Sequence, residues 1–415
     1  MARRPSKADG GRFDVAIVGG GIVGLATALR LLERRPRLRL AVLEKEPELL
    51  AHQSSHNSGV LHAGLYYQAG SRKARLCREG KAELERFATE HSIPLERCGK
   101  LVIAITPAEK LALEALAGRA RANGVPGLET VGPERIAEIE PHATGIAGLY
   151  SPETGIVDFG VVGRAYADEV ETRGGRLIKS ARVDAMRRYA LGAGEEWVLE
   201  TTAGEIRTTA VIACAGLWSD RVASMTGHAG RERVVPFRGD YYRLRPEARR
   251  LVKALIYPVS DLRFPFLGIH LTRRIDGDVW AGPNAVLAFA REGYRRRDIV
   301  PRELAETLSD RGFLRLAFRY WRSGVAEMGR DFWKPAFAAA VRRYVPELSE
   351  EDLAPGPSGV RAQSVRLNGE MVDDFSIGGS GRVLHVRNAP SPAATASLAI
   401  GRELAELAEK RFELA

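Results

Sequence analysis

Residues 13–18 (Phe-Asp-Val-Ala-Ile-Val) are apolar except for Asp14, the pattern of a short strand buried on both faces. A glycine run, Gly19-Gly20-Gly21-Ile22-Val23-Gly24, follows, and Leu25 to Leu32 then places apolar residues at helical spacing. A second apolar run, Leu38 to Leu43, stops at Glu44, and the three segments predict a β-α-β unit. Residues 69–91 read as a charged amphipathic helix with Leu76, Leu84 and Phe87 on its buried face, Leu101 to Ile105 as a strand and 107–123 as a helix. Gly148 and Gly155 turn the chain into a helix at about 160–173. Strands are expected at 176–190, 196–202, 205–208 and 211–216, and several β-type runs between 234 and 282. An Arg- and aromatic-rich helical stretch covers about 301–345. The tail reads as a strand, 382–387, then a helix over 391–412 with Ser391 as N-cap and Pro392 at its first position.

The length of 415 residues predicts two or three domains, and 45% hydrophobic with 27% charged residues is the balance of a soluble globular chain. No run approaches the roughly 18 apolar residues of a membrane span. The basic Met1–Lys7 segment is not followed by the apolar run of a secretory signal, so export is not expected and a cytoplasmic location is. Cys77, Cys98 and Cys214 lie far apart, which argues against a disulfide framework or a zinc site. Of the 62 basic residues behind the net charge of +10, 52 are Arg. The excess reflects either coding bias or attraction to anionic substrates or membranes. It is diffuse and accompanies no helix-turn-helix, RRM or zinc signature, so no nucleic-acid partner is expected.

The glycine run matches G-x-G-x-x-G through Gly19, Gly21 and Gly24. Gly19 permits the tight turn, Gly21 lets backbone N–H groups approach a pyrophosphate, and Gly24 allows close helix–strand packing. The helix N-terminus offers unpaired donors to the phosphates. Glu44, at the end of the second strand, can accept both ribose hydroxyls and repels a 2′-phosphate, which argues against NADP. No second fingerprint exists, so a single dinucleotide, FAD or NAD, must serve as the redox centre. The polar loop from His52 to Gly59 suits backbone laid against a planar ligand, and is equally ordinary loop chemistry. The N-terminus of the tail helix would stabilise the negative charge of a reduced flavin if aimed at it, or is simply a capped helix end.

Three segments resemble the D-amino-acid-oxidase-like superfamily of flavoproteins: the fingerprint, the Ser54–Gly64 loop, and Ala213-Cys214-Ala215-Gly216-Leu217-Trp218-Ser219-Asp220. Within it, the chain resembles the L-2-hydroxyglutarate dehydrogenase/oxidase family. The stretches His56–Tyr67, Pro236–Tyr242, Phe264–Thr272, Gly359–Gln363 and Asn388–Thr395 carry that likeness in the expected order, with Asp240 where Glu and Ile269 where Val is usual. The resemblance implies an α/β fold in which a Rossmann-like FAD-binding domain (1–90, 148–230 and 355–415) is interrupted by an α+β substrate domain (91–147 and 231–354). The substrate domain's antiparallel sheet would roof the flavin. It implies non-covalent FAD held by Gly19, Gly21, Gly24, Glu44, Lys45, Ser54, Ser55, Asn57, Val183, Ala215, Gly216, Trp218, Asn388, Pro390, Ser391 and Ala393. The implied reaction is oxidation of (S)-2-hydroxyglutarate to 2-oxoglutarate, with quinone or oxygen as acceptor. Rival readings are an amine oxidase of the glycine or sarcosine type and a glycerol-3-phosphate dehydrogenase.

Such an oxidation needs a base for the hydroxyl proton, and His suits that task. Of eight His residues, His52 and His56 lie in the polar loop, and His91, His142, His228 and His385 read as structural. His270 and His62 remain, the latter in a context where some superfamily members attach FAD covalently. A dicarboxylate needs cationic clamps, for which Arg offers a two-donor fork. Arg361 resembles the substrate-carboxylate position of related amino-acid oxidases, Arg238 can serve the distal carboxylate, and Tyr241, Tyr242 and Tyr257 can add hydroxyls. The stretch 291–345 has 13 basic and 7 acidic residues beside Phe313, Phe318, Tyr320, Trp321, Phe332 and Trp333. It reads as a peripheral membrane face on the way to a quinone, or as a solvated helical cap.

Overall fold

A computed structural model describes residues 11–191, 194–228, 230, 232–259 and 268–414. The basic start, Met1–Lys7, and the Phe264–Leu267 part of one family-like stretch lie outside the described residues. The chain forms two compact units, Met1–Ser55 with Phe159–Val234 and Asp374–Ala415, and His56–Asp158 with Val235–Asp373. The expected boundaries placed 56–90, 148–158 and 355–373 with the first unit, whereas all three belong to the second. Strand pairing is the reason. Ala147–Ser151 pairs with Lys100–Ala104, Gly155–Val157 with Val60–Leu61, and Leu353–Arg366 with Glu232–Leu244.

In the first unit, strand Arg12–Val18 lies parallel between Leu40–Leu43 and Gly204–Ala213, and Arg176–Ile178 extends the sheet in parallel beyond Leu40–Leu43. Gly204–Ala213 is one continuous strand where two were expected. Its first half pairs with Gly194–Thr201 and its second half, Val211–Ala213, with Val383–Asn388. Val183–Leu191 completes the antiparallel edge. Helix Ile22–Arg34 buries Leu25, Leu29 and Leu32. The tail helix runs from Ser397 to Phe412, not from 391, and its N-cap is Ala396. Residues 391–396 close turns instead, with Ala393 N–H donating to Pro390 O and Ala396 N–H to Pro392 O, both at 2.9 Å. Ser391 is exposed and lies six residues ahead of that helix; the residue before a proline is steered away from helical torsions.

The second unit is built on a sheet whose path runs Val286–Leu287, Glu232–Leu244, Val279–Gly282, His270–Arg273, Leu255–Pro258, Lys100–Ala104, Ala147–Ser151, Glu129–Val131. Neighbours on this path are antiparallel except Leu255–Pro258 and Lys100–Ala104, which are parallel. The period-two alternation of strands divides the residues between two cores. Leu101, Ile103, Ile256, Leu271, Val279 and Ala281 pack with Phe337 and Val341 on one face. Val102, Ala104, Leu255 and Tyr257 pack with Leu113 and Leu116 on the other. Helix Pro107–Ala122 is fixed over that second face by a reciprocal cap. Thr106 Oγ1 accepts from Glu109 N–H (3.2 Å), while the Glu109 carboxylate accepts from Ile105 N–H (2.7 Å).

Candidate active site

The residues expected to hold a nucleotide lie mostly in the first unit. Gly19 has φ +112°, and a Cβ there would run into the Cys214 carbonyl; a Cβ on Gly24 would run into the carbonyl of Gly19. The loop is thus an open cradle only because both residues lack side chains. Gly21 is the N-cap of helix Ile22–Arg34 and supplies no side-chain cap. Ser54 fills that role, its Oγ accepting from Ile22 N–H at 2.9 Å, which fastens the polar loop to the mouth of the helix. The Glu44 carboxylate is buried at the end of its strand, accepting from Gly20 N–H (2.8 Å) and Glu46 N–H (2.9 Å). Each oxygen keeps a further lone pair beyond these bonds. Lys45 pairs with Glu46 and lies 2.9 Å from His52 Nε2. Gly216 has φ +50° and its Cβ position lies 3.0 Å from Gln53 Oε1. Ala215 and Trp218 pack at the edge of the core that contains Val183. Asn388, buried, donates to Asp374 O at 2.9 Å, and Pro390 and Ala393 lie in the turns after it. Ser55 is exposed in the polar loop. The cradle without Cβ atoms at a helix N-terminus and the buried carboxylate beside it fit a dinucleotide such as FAD. Asn57, expected among the cofactor ligands, belongs to the second unit, where its Oδ1 accepts from Gly59 N–H (2.9 Å) and its carbonyl from Arg274.

The chemical groups gather on one sheet face of the second unit. Because Leu271, Ile256 and Leu101 point to the opposite core, alternation puts His270, Tyr257 and Lys100 together. Tyr257 and His270 stack with ring centroids 3.8 Å apart, and Lys100 Nζ sits 4.0 Å from the Tyr257 centroid and 5.4 Å from that of Tyr66. His270 Nδ1 is 2.9 Å from Gly268 O, a contact the neutral ring satisfies by donating, which leaves Nε2 as the proton acceptor. Burial, with the charges of Lys100 and Arg361, pushes His270 down to about 3. His62 is driven well below the ordinary histidine value by burial and by Lys100, His270 and Lys73. Burial also lowers Lys100, to about 7.

Arg361, on strand Leu353–Arg366, is half-buried and lowered by burial, with Tyr241 and Tyr257 among the groups that favour its charge. Tyr241 packs on Trp280 at 5.2 Å, and Arg274 covers Trp280 at 3.9 Å. Thus His270, His62, Arg361, Tyr241 and Tyr257 fall in one cationic, aromatic-lined neighbourhood. Arg238 has other partners: its buried guanidinium meets Asp240 (3.0 Å) and Asp331 (3.3 Å), and Asn284 accepts from the Asp240 backbone N–H while its amide donates to the Asp331 carboxylate. Burial and Asp331 raise Asp240. A guanidinium already shared by two carboxylates holds its sheet together rather than offering an empty fork to a ligand. Tyr242 lies on the opposite face, against Phe337 at 4.6 Å. Lys100 was missed in the sequence; its only signal there is a lysine heading an apolar strand in a chain with ten lysines in all.

The family model for FAD dependent oxidoreductases (DAO) matches residues 14–407. The chain is 48% identical to the mitochondrial L-2-hydroxyglutarate dehydrogenase of Nematostella vectensis, covering 97% of this chain and 91% of that one. It is 45% identical to the L-2-hydroxyglutarate dehydrogenase of Indibacter alkaliphilus, over 96% of this chain and 100% of that one. Among solved structures, dithionite-reduced L-α-glycerophosphate oxidase from Mycoplasma pneumoniae with FAD bound superposes with a TM-score of 0.77 at 21% identity, over 96% of this chain and 95% of that chain. Beside the glycine cradle and the buried Glu44 carboxylate, these matches settle the family: the chain belongs to the FAD dependent oxidoreductases, and within them to the L-2-hydroxyglutarate dehydrogenase family.

Proposed function

We propose that this protein oxidises L-2-hydroxyglutarate to 2-oxoglutarate with FAD as its cofactor. The observation that carries the reading is near full-length similarity to L-2-hydroxyglutarate dehydrogenases at 45–48% identity, joined to a face of histidines and cations suited to a hydroxylated dianion. Gly19, Gly21, Gly24, Glu44 and Ser54 of the first unit would hold the FAD; the chemistry it supplies when bound is acceptance of a hydride from the substrate Cα. The chain's own residues do the rest. His270 takes the hydroxyl proton on Nε2 while Gly268 O fixes its ring. Arg361 clamps a carboxylate. A dianion beside Arg361 and Lys100 offsets the charges that depress His270, so binding raises its basicity when a base is needed. His62 shares that electrostatic neighbourhood, and we read it as a second substrate-side histidine with the FAD held non-covalently. Turnover with a dye acceptor should convert the L enantiomer to 2-oxoglutarate and leave the D enantiomer untouched; turnover of glycine, sarcosine or glycerol 3-phosphate instead would refute the reading.

Quinone or oxygen is the acceptor class, and the surface favours quinone through a peripheral membrane contact. Among the described residues no helix is long and apolar enough to cross a membrane. The helical stretch Arg311–Phe332, which departs from helical torsions at Tyr320 (φ −117°, ψ 19°), nevertheless exposes Leu314 and Phe318 before that break and Trp321, Val325, Met328 and Phe332 after it. Phe318 is 84% exposed, Phe332 72% and the adjacent Trp333 64%, whereas Phe313 and Leu316 turn into a core. Arg315, Arg319 and Arg322 are exposed on the same helix, each worth about 1 kcal/mol near an anionic bilayer. The protein should float with anionic vesicles at low salt, and Phe318→Glu with Trp321→Glu should abolish flotation; wild-type protein that stays with the soluble fraction would contradict this contact.

A further inference from the structure

With Arg238 bound to two aspartates, the second carboxylate of a dicarboxylate substrate lacks the clamp expected for it, and the second unit has another cation to offer. Three lysines are buried there. Lys73 pairs with Asp373 at 2.8 Å, and Lys81 with Glu85 at 2.7 Å and Glu153 at 3.2 Å. Lys100 is 1% exposed and, among the described residues, meets no carboxylate; its Nζ rests on the faces of Tyr257 and Tyr66. A buried ammonium without an acid is costly to keep unless an anion arrives from outside. Sheet alternation places it on the face that carries His270, and Tyr257 lies against both. Arg274 is an inferior candidate, since Asn57 O and the Trp280 ring engage it and Asp276, Asp158 and Asp278 favour its charge.

We propose that Lys100 is the specificity-determining cation for the distal carboxylate, pairing with it while Arg361 holds the carboxylate beside the reacting carbon. This rests on the hydroxyglutarate reading and adds what distinguishes that substrate from a monocarboxylic 2-hydroxy acid. The groups facing Lys100 are Cys98 and Cys77, Tyr66 and Tyr257, and the low-titrating His62 and His270. None supplies a fixed negative charge near neutrality, because burial raises both thiols and both phenols. The free enzyme therefore loses the Lys100 charge as pH rises through about 7, and a bound carboxylate opposes that loss.

The test compares (S)-2-hydroxyglutarate with (S)-2-hydroxyvalerate, which ends in a methyl group, in the holoenzyme. Lys100→Met should lower kcat/KM for the dicarboxylate on the order of 10²-fold, chiefly through KM, and leave the monocarboxylate within about 3-fold. Lys100→Arg should recover part of the loss. In the unsubstituted enzyme, kcat/KM for the dicarboxylate alone should fall above about pH 7. Equal losses on both substrates, or an alkaline limb shared by both, would overturn the assignment and leave Lys100 a packing residue. An unsubstituted enzyme that does not prefer the dicarboxylate at all would overturn the substrate reading beneath it, before any variant is made.

Discussion

Replacing His270 by Gln should lower kcat for L-2-hydroxyglutarate by roughly 10²- to 10⁴-fold, the usual contribution of a positioned general base. KM should change by no more than a few-fold, because the carboxylates bind to cations and not to the imidazole. FAD content and the thermal midpoint should hold, since the ring's hydrogen bond to Gly268 O at 2.9 Å can be replaced by the Gln amide. The pH profile carries the same claim. A histidine held at about 3 by burial and by Lys100 and Arg361 stays neutral, and so competent as a base, as pH falls well below its ordinary range. The acid limb of kcat/KM, which reports the free enzyme, should therefore lie below pH 5 in the native protein. If His62→Gln abolishes turnover while His270→Gln retains it, the two histidines exchange roles.

Gly19→Ala should remove the cofactor. The residue has φ +112°, and the new methyl would meet the Cys214 carbonyl, backbone against backbone with no side chain able to give way. Left-handed strain and overpacking together cost about 3 kcal/mol. In a unit of this size that is a drop of roughly 6–12 °C in Tm. The turn that presents N–H groups to the pyrophosphate must also move, so flavin absorbance per protein should fall more than about 10-fold. A yellow Gly19→Ala protein with the native flavin ratio would place the cofactor elsewhere.

Much of this was written in local pattern. Apolar runs and a glycine fingerprint located the strand Arg12–Val18, the helix Ile22–Arg34 and the acid Glu44 because each depends on neighbours a few residues away. What local pattern hides is pairing over long separations. Gly204–Ala213 reads as two strands because its halves have different partners, and Leu353–Arg366 belongs to the second unit because it pairs with Glu232–Leu244. Arg238 looked like a ligand clamp until Asp331 was found beside it. Lys100 lies just outside the apolar run Leu101 to Ile105 that marks the strand, and acquires meaning only when Leu255–Pro258 and His270–Arg273 fold in next to it. The tail helix was advanced by six residues because Ser-Pro is a good helix start as well as a good turn, and the hydrogen bonds of Ala393 and Ala396 show the turn.

The most direct measurement is anaerobic mixing of the purified, flavin-loaded protein with each enantiomer of 2-hydroxyglutarate while the flavin's visible absorption is followed. Rapid bleaching by the S enantiomer, with one equivalent of 2-oxoglutarate formed and no change with R, is the predicted result. A flavin that stays oxidised with both enantiomers would contradict the proposed activity.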